Sequence, residues 1–586
     1  MSRLSRVCRF PVALLTLYAL SVLPLVAYVP PSEPSNDASA TSDQRVRQVL
    51  SRLTFGGRPG DVERVERMGI DAFIAQQLDP DSIDDSALQS RIDKLPTLRL
   101  DAPDLAAQYN PPKPPPTPTP TPRPVTVAGS DDKAAGSTMM TDAQMQSSAA
   151  VPSPTPAASP TATPKPTPPP KNPGMVVGEL QRAKLLRAVY GDRQLYEVMV
   201  DFWENHFSIF ANKDADRWLL TGFDRDTIRP FALGRFRDLL GATAHSPAML
   251  FYLDNWQSSM RHDIPATADK PARSYGGINE NYARELMELH TLGVDGGYSQ
   301  KDVQEVARCL TGWTIRKPNE EGTFVFNPNA HDNGEKTVLG VRIPAGGGIS
   351  DGERVLDILA KSPATAKFVT TKLARRFLGD DPSPAVVAKA SQVFLSTDGS
   401  ILETVKAIIT SKEFSAPATF QNKVKTPFEY VASALRATNA DTDANGPVIN
   451  WIARMGQPVY GRVTPDGFPD RTTEWLSNND LLARLNFASA LVQNQIKGTT
   501  VKIDKLLPND GSPVDNVIAT ILMDRATSPT RKELEKINSE HANAPQPATI
   551  QVAATVTAPG ATAPPKIDPR AEMVALALGS PEFQHK

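Results

Sequence analysis

N-E-N-Y-A-R-E-L-M-E-L-H-T-L-G-V-D-G-G-Y-S, residues 279–299, predicts a helix, a glycine-rich turn and the start of a second helix. Apolar residues in its first half recur at spacings of three and four, which is the period of an amphipathic helix. Ser299 stands three residues before Asp302, and this spacing is typical of a capping box at a helix start. Further helices are predicted at 192–210, 247–260, 300–312, 363–378, 384–396 and several other positions. We therefore predict an all-α fold, a multi-helix orthogonal array.

One short β-hairpin is predicted within this helical array. The segments T-F-V-F (323–326) and T-V-L-G (337–340) flank the sequence H-D-N-G-E-K. Asn333 and Gly334 form a dipeptide that favours a tight turn between paired strands. The two segments are therefore expected to pair with each other.

Two stretches rich in Pro, Thr, Ser and Ala interrupt the helical pattern. Residues 103–175 and 538–569 have too little apolar surface to form a core, which predicts two long disordered insertions. Helical sequence lies on both sides of each stretch, so both are expected to project from one domain. The folded parts are then an N-terminal helical part (43–102), a main helical domain (176–537) and a C-terminal helix that closes the domain (570–586).

The first thirty residues indicate export. Three arginines precede the apolar residues 10–29, and this pattern is typical of a signal peptide. The apolar stretch is also long enough to remain as an N-terminal membrane anchor. Residues 31–42 form a polar tether. In both cases the chain is expected in the periplasm, at the cell surface or outside the cell, and it would contact the membrane only through this N-terminal segment.

Charge and cysteine content exclude some functions. The formal net charge is −2, so no basic excess indicates nucleic-acid binding. The two cysteines are Cys8 and Cys309, and removal of the signal segment would leave Cys309 without a disulfide partner. The sequence lacks the fingerprints of P-loop and Rossmann proteins, of G-x-S-x-G hydrolases and of H-E-x-x-H metalloproteases.

Histidines and acidic residues concentrate in one interval of the chain. Five of the seven histidines fall between residues 206 and 331. They are His206, His245, His262, His290 and His331. Such a concentration favours a metal centre or a hydrolase site as one hypothesis.

A helical wheel divides the polar residues of the first helix. Glu280, Arg284 and Glu288 form an outer stripe at a spacing of four, which favours pairing of their charges. Asn279 and His290 fall on the inner face. They stand roughly 16 Å apart along the helix axis, too far to bind one ion together.

The helix that contains W-E-N-H has the same inward feature. His206 lies on its apolar face, whereas Glu204 points to the opposite side. Because His206 and His290 both face inward, we expect them to approach each other or Asp254 and Asn255. The result is either a functional site or a buried hydrogen-bond network.

These positions define the candidate site residues. Candidate catalytic residues are His206, His290, Asn279, Glu280, Arg284 and Glu285. Candidate substrate-binding residues are Asp254, Asn255, His245 and Trp313. His331 and Asp332, at the mouth of the predicted hairpin, are candidate ligands of a divalent metal ion. In this hypothesis the inward histidines act as ligands or as a general base, and Arg284 holds an anionic substrate.

Several motifs together resemble one bacterial family. They are F-W-E-N-H-F, H-S-P-A-M-L-F-Y-L-D-N, the run from 279 to 303, L-T-G-W, H-D-N-G-E-K, K-T-P-F-E-Y, M-G-Q-P-V-Y, P-D-G-F and S-P-E-F-Q. The chain resembles the domain of unknown function 1800 family from about residue 44 to its C-terminal end, apart from the two insertions. The resemblance implies an exported, helical protein without a settled activity. It also implies an exported partner from the domain 1501 family, whose genes often neighbour those of this family.

Two hypotheses for the function follow. In the first, the chain is an exported helical protein that acts with a protein partner at the cell envelope or outside the cell. In the second, it is a hydrolase, with or without the assistance of a metal ion, and has a polar pocket around the N-E-N-Y-A-R-E-L-M-E-L-H helix. The position of the polar residues, in a cleft or enclosed in the core, discriminates between them.

Overall fold

The computed structural model describes residues 41–110, 172–267, 269–507, 510–542 and 568–586. The predicted signal peptide or anchor at 1–30 lies outside the described residues. Most of the predicted tether and the central parts of both predicted insertions lie outside them as well.

Helices dominate the described chain, which confirms the predicted helical fold class. The α-helices are α1 Ser42–Leu53, α2 Asp61–Met68, α3 Ile70–Leu78, α4 Ser86–Ile92, α5 Ala102–Tyr109, α6 Gly174–Tyr190, α7 Gln194–His206, α8 Asp216–Gly222, α9 Phe236–His245, α10 Pro247–Tyr252, α11 Glu280–Glu288, α12 Gln300–Cys309, α13 Ser350–Ala360, α14 Pro363–Leu378, α15 Pro384–Ser396, α16 Ile401–Ile409, α17 Pro427–Ala437, α18 Gly446–Arg454, α19 Asn478–Val492, α20 Ile503–Leu506, α21 Pro513–Leu522, α22 Ser528–Ala542, α23 Pro569–Gly579 and α24 Pro581–Gln584. Helices α14 and α15 have the predicted bounds.

Four antiparallel two-stranded sheets occur within the described residues. Their strands are β1 Ser259–Ile264, β2 Arg273–Gly277, β3 Trp313–Arg316, β4 Thr323–Phe326, β5 Lys336–Val338, β6 Val341–Ile343, β7 Asp441–Thr442 and β8 Thr499–Thr500. The predicted pairing of 323–326 with 337–340 is wrong, because β4 pairs with β3 and β5 pairs with β6. Leu339 and Gly340 both have positive φ, the conformation of a two-residue hairpin turn, so β5 closes on the strand that follows it.

One hydrophobic core includes residues from both sides of the undescribed segment 111–171. In α1, Leu50 is fully buried, and the Gln48 amide donates to the carbonyl of Thr419 at 3.4 Å. In the turn after α1, the carbonyl of Gly56 accepts a hydrogen bond from the Arg436 guanidinium of α17. The N-terminal helices therefore pack as part of the main helical body.

The helices beside the undescribed segments extend into the predicted insertions. Helix α5 covers residues at the start of the predicted insertion 103–175, because Leu105 and Tyr109 lie one turn apart and are both buried. Helix α6 begins inside the other end of that insertion, at Gly174. Helix α22 likewise enters the predicted insertion 538–569. The helical body is thus longer at these ends than the composition predicts.

The C-terminal segment forms two helices instead of the single predicted helix at 570–586. Helix α23 ends before Ser580, whose side chain accepts from the backbone N–H of Phe583 and starts α24. Pro581 takes the first position of α24, where its missing N–H costs no hydrogen bond. Within the described parts of the chain, no helix is both long enough and apolar enough to cross a membrane.

Candidate active site

A cleft opens to solvent between segments of the main helical body. Helices α6 and α7 line one side, and α14 lines another. The start of α17 and the loop 457–470 complete the wall. The charged side chains that line it are Lys184, Asp201, Glu204, Lys372, Arg376, Lys423, Glu429, Arg462 and Asp470.

Glu204 on α7 is a buried carboxyl group of this cleft, with 3% of its side chain exposed. The Lys184 ammonium from α6 lies 2.6 Å from Glu204 Oε2 and 2.8 Å from Asp201 Oδ1. The Tyr460 hydroxyl donates to Glu204 Oε1 at 2.9 Å. Asp201 and Glu204 are three positions apart on α7, so they share one side of the helix. Both oxygens of Glu204 are therefore fixed by hydrogen bonds.

The surroundings of Glu204 favour its protonated form. Burial and the neighbouring Asp224 raise the pKa of Glu204 to about 7, although Lys184 opposes this shift. Burial acts in the same direction on Asp224, but the Arg229 and Arg187 guanidiniums outweigh it and lower the pKa of Asp224 to about 2. Arg229 binds Asp224 at 2.9 Å. When these two carboxyl groups share one proton, it resides on Glu204.

Helix α14 brings two cations to the cleft. Lys372 and Arg376 are one helical turn apart, and both line it. Arg376 Nη1 donates to Glu429 Oε1, and the same oxygen accepts from the Lys586 ammonium. One carboxylate therefore faces two cations at this end of the cleft.

The loop 457–470 is held in place by side chains from neighbouring helices. Asn205 on α7 accepts from the backbone N–H of Phe468 at 2.7 Å and donates to its carbonyl at 2.9 Å. Gly467 has a φ of +74°, and a Cβ atom there would lie 2.2 Å from the carbonyl oxygen of Asn205. Gln457 accepts from the backbone N–H of Phe428 at the start of α17. The close approach of α7 and the loop thus requires glycine at 467.

His206 and His290 come together, and both are enclosed. Nε2 of His206 donates to the backbone carbonyl of His290 at 3.1 Å, and the two ring centroids are 6.3 Å apart. The residues are only 2% and 1% exposed. Burial and Lys372 lower the pKa of both imidazoles, that of His290 to about 3. The pair is neutral and packed against Phe207, which supports a core role.

The residues of α11 bind its neighbours instead of forming a pocket. Asn279 is the helix cap: its side chain accepts from the backbone N–H of Tyr282 and donates to the carbonyl of Leu253 at 2.8 Å. The helix extends from Glu280 to Glu288, so Asn279 and His290 lie just outside its ends. Asn279 is partly buried, and its role as the N-cap is one that the helical wheel does not predict.

The outer stripe of α11 also differs from the prediction. Gln300 of α12 accepts from Arg284 Nη2 at 2.6 Å and donates to Glu280 at 2.6 Å. These bonds cross to α12 and replace the predicted charge pairing along α11. Glu285 is half-buried, and burial followed by the nearby Glu288 raises its pKa.

Trp313 links two of the other predicted substrate-binding residues. His245 stacks on the Trp313 ring with centroids 4.5 Å apart and lies 2.8 Å from Glu353. The amide of Asn255, fully buried, donates to the Trp313 carbonyl at 3.2 Å. Asp254 lies apart from this cluster: about half of its side chain is exposed, and it pairs with Lys213 at 2.8 Å.

The predicted metal ligands His331 and Asp332 contact different partners. His331 Nδ1 lies 2.8 Å from the Thr311 carbonyl, and Nε2 lies 3.2 Å from Asp351. Asp332 pairs with Arg308 at 2.8 Å. His331 is only 1% exposed, and its ring lies against Phe326 of β4. Among the described residues, no three His, Cys, Asp or Glu side chains gather in a way that could hold a metal ion.

Comparison with family models identifies the chain. The model described as "Protein of unknown function (DUF1800)" matches residues 48–585. The chain belongs to the DUF1800 family. Comparison with curated proteins found no match, and comparison with solved structures found none. The DUF1800 match covers both the helices before the segment 111–171 and the cleft after it.

Four of the DUF1800 motifs meet at the cleft. W-E-N-H supplies Glu204 and Asn205, K-T-P-F-E-Y supplies Glu429, M-G-Q-P-V-Y supplies Tyr460, and P-D-G-F supplies Phe468. The candidate residues chosen from the sequence do not include Glu204, Lys184, Tyr460 or Lys372. Glu204 and Tyr460 could have been found in the sequence, because the motifs F-W-E-N-H-F and M-G-Q-P-V-Y carry the resemblance to the family, whereas no such motif contains Lys184 or Lys372.

Proposed function

We propose that this DUF1800 protein is a hydrolase that uses Glu204 in the cleft as its general acid and base. The observation that carries this proposal is a buried carboxyl group with a pKa of about 7, reached from solvent through the cleft and held by Lys184 and Tyr460. A group with a pKa near the working pH both accepts and gives up a proton readily. This is the property that hydrolysis requires.

The reaction is balanced with water as the second substrate. Ionised Glu204 takes a proton from a water molecule in the cleft, and the hydroxide attacks the electrophilic atom of the substrate. Glu204 then gives this proton to the leaving group as its bond breaks. Lys184 and Tyr460 keep the carboxyl group in one orientation during both transfers.

The test compares two glutamates on purified protein. We expect a panel of chromogenic phosphate, sulfate, acyl and glycosyl esters to include a substrate, and Glu204→Gln to lower its turnover by about 100-fold or more. The matched control is Glu280→Gln on α11, which should retain activity because Glu280 lies away from the cleft and binds Gln300 and Gln304.

The pH profile gives a second readout. The rate should change with a midpoint near pH 7 in the wild type, and this step should be absent in Glu204→Gln. Full activity in Glu204→Gln, together with loss in Glu280→Gln, would move the site to α11 and contradict the proposal.

We further propose that the enzyme is exported and acts at the cell envelope or outside the cell with a domain 1501 protein as partner. The apolar stretch 10–29 after three arginines supports export, and the family resemblance supports the partner. Cell fractionation with sequencing of the mature N-terminus tests the first point, since cytosolic protein would contradict it. Co-purification from cells that express both proteins tests the second.

A further inference from the structure

Lys372 is a cation of the cleft for which the described residues provide no polar partner. It lies on α14 and is partly buried, and within the described parts of the chain its ammonium makes no hydrogen bond and no ion pair. Its Nζ lies 5.8 Å from the centroid of the Phe368 ring. Burial lowers the pKa of Lys372, because water that would solvate the charge is displaced.

Arg376, one turn further along α14, has unused donors. Its Nη1 donates to Glu429, but that carboxylate is shared with Lys586. Nε and Nη2 of Arg376 make no hydrogen bond to any of the described residues. Burial lowers the pKa of Arg376 as well, while Asp201 and Asp470 favour its charged form.

Lys372 and Arg376 form a cationic edge of the cleft. The described residues supply fewer hydrogen-bond acceptors than these two side chains have N–H donors. Desolvating a cation without a matching anion costs free energy, and an anion that binds there restores the lost interaction. Lys372 supplies a point charge, and Arg376 supplies directed N–H groups, a combination suited to a group with several oxygens arranged in three dimensions.

We propose that the substrate of the cleft carries a tetrahedral oxyanion, a phosphate or sulfate group, which Lys372 and Arg376 bind. This proposal rests on the proposed function only in assigning the anion to a substrate, since binding of the anion does not require Glu204 to transfer a proton. Glu204 lies on the facing helix α7, so the bound anion positions the rest of the molecule across the cleft.

Calorimetric titration of the full-length protein at pH 7 tests the proposal, with inorganic phosphate, inorganic sulfate and acetate as separate probes. We expect phosphate or sulfate to bind more tightly than acetate, and the tighter of the two identifies the ester class. Lys372→Met, which keeps the length of the side chain, should weaken that binding at least 10-fold. Lys372→Ala serves as a second variant. The matched control is Lys367→Ala, an exposed lysine of α14, which should bind like the wild type.

The outcomes separate this proposal from the proposed function. Unchanged affinity in folded Lys372→Met, no binding of either oxyanion, or tighter binding of acetate would each overturn it. Glu204→Gln should retain anion binding while it loses hydrolysis. Anion binding without any Glu204-dependent hydrolysis would contradict only the catalytic role of Glu204. Hydrolysis without anion binding would contradict only the proposed anion site.

Discussion

Glu204 and His206 stand two positions apart on α7, and the helix turns them into different surroundings. Glu204 faces the cleft, where Lys184 and Tyr460 bind both of its oxygens. His206 faces the core and binds the carbonyl of His290. Burial disfavours the charged form of each, so it raises the pKa of the acid and lowers the pKa of the base. Only the acid remains within reach of solvent.

The enclosed histidines predict a loss of stability in acid. The pKa of His290 is about 3 in the folded protein, below its ordinary value of 6.5. Between these values the unfolded chain binds a proton that the folded chain does not, so stability is present above pH 6.5 and is lost as the pH falls toward 3. From pH 6.5 to 5 this amounts to about 2 kcal/mol.

Urea unfolding at pH 7 and pH 5 measures this effect. His290→Gln should show a smaller difference between the two pH values than the wild type does, whatever its absolute stability. Phe207→Leu is the matched control, because it disturbs the same cluster without removing a titrating group. An equal pH dependence in wild type and His290→Gln would contradict the prediction.

At the level of single residues, the sequence predicts which side of a helix a side chain occupies but not what it meets there. The wheel for α7 correctly separates Glu204 from His206 and brings His206 near His290. A helical wheel cannot predict the partners of Glu204, because Lys184 and Tyr460 stand 20 and 256 positions away in the chain. Such partners follow only from the packing of distant segments.

Among the elements, the loop 457–470 depends on one glycine. Gly467→Ala would place a methyl group against the carbonyl of Asn205 in a backbone conformation that disfavours side chains. We expect a destabilisation of more than about 2 kcal/mol, the cost of the left-handed conformation plus the clash. Chemical unfolding measures it, and anion binding in the cleft should weaken as well.

Gly340→Ala isolates the conformational part of that cost. Gly340 has a similar φ of +78°, but no atom lies within 4 Å of the position of its Cβ. Its replacement should cost only about 1–2 kcal/mol. If Gly467→Ala proved no more destabilising than Gly340→Ala, the close approach between α7 and the loop would be wrong.

Local chemistry explains which elements are predictable. Ser299 and Asp302 form the predicted capping box at the start of α12, since all of its atoms lie within one turn. Helix α10 ends at Tyr252, eight residues before its predicted end, as Asp254 takes a left-handed conformation. The strand pairing was mispredicted because β3 directly follows the predicted helix 300–312 and was not predicted as a strand. The strand β4 was therefore assigned the wrong partner.

For the whole molecule, the first helices and the main body should unfold together. All six tryptophans stand at residue 203 or later, so their fluorescence reports only on the main body. Leu50→Ala removes a fully buried side chain from α1 and should cost about 2–5 kcal/mol. If one core joins both parts, the urea midpoint of the tryptophan signal shifts by the corresponding amount.

Arg45→Ala is the control on the exposed side of α1 and should leave the tryptophan transition in place. If Leu50→Ala does not shift the urea midpoint of the tryptophan signal, residues 41–110 form a separate unit. That result would contradict the shared core.

The bonds from α1 to the segment around Thr419 also set the order of events during synthesis. Gln48 and Arg52 reach carbonyls that follow about 370 residues later in the chain. At ribosomal rates of about 5–20 residues per second, that interval lasts on the order of tens of seconds. Closing so long a loop is slow as well. We therefore expect the apolar face of α1 to stay uncovered on the nascent chain for this interval, in which chaperones can bind a polypeptide that has not yet closed its core.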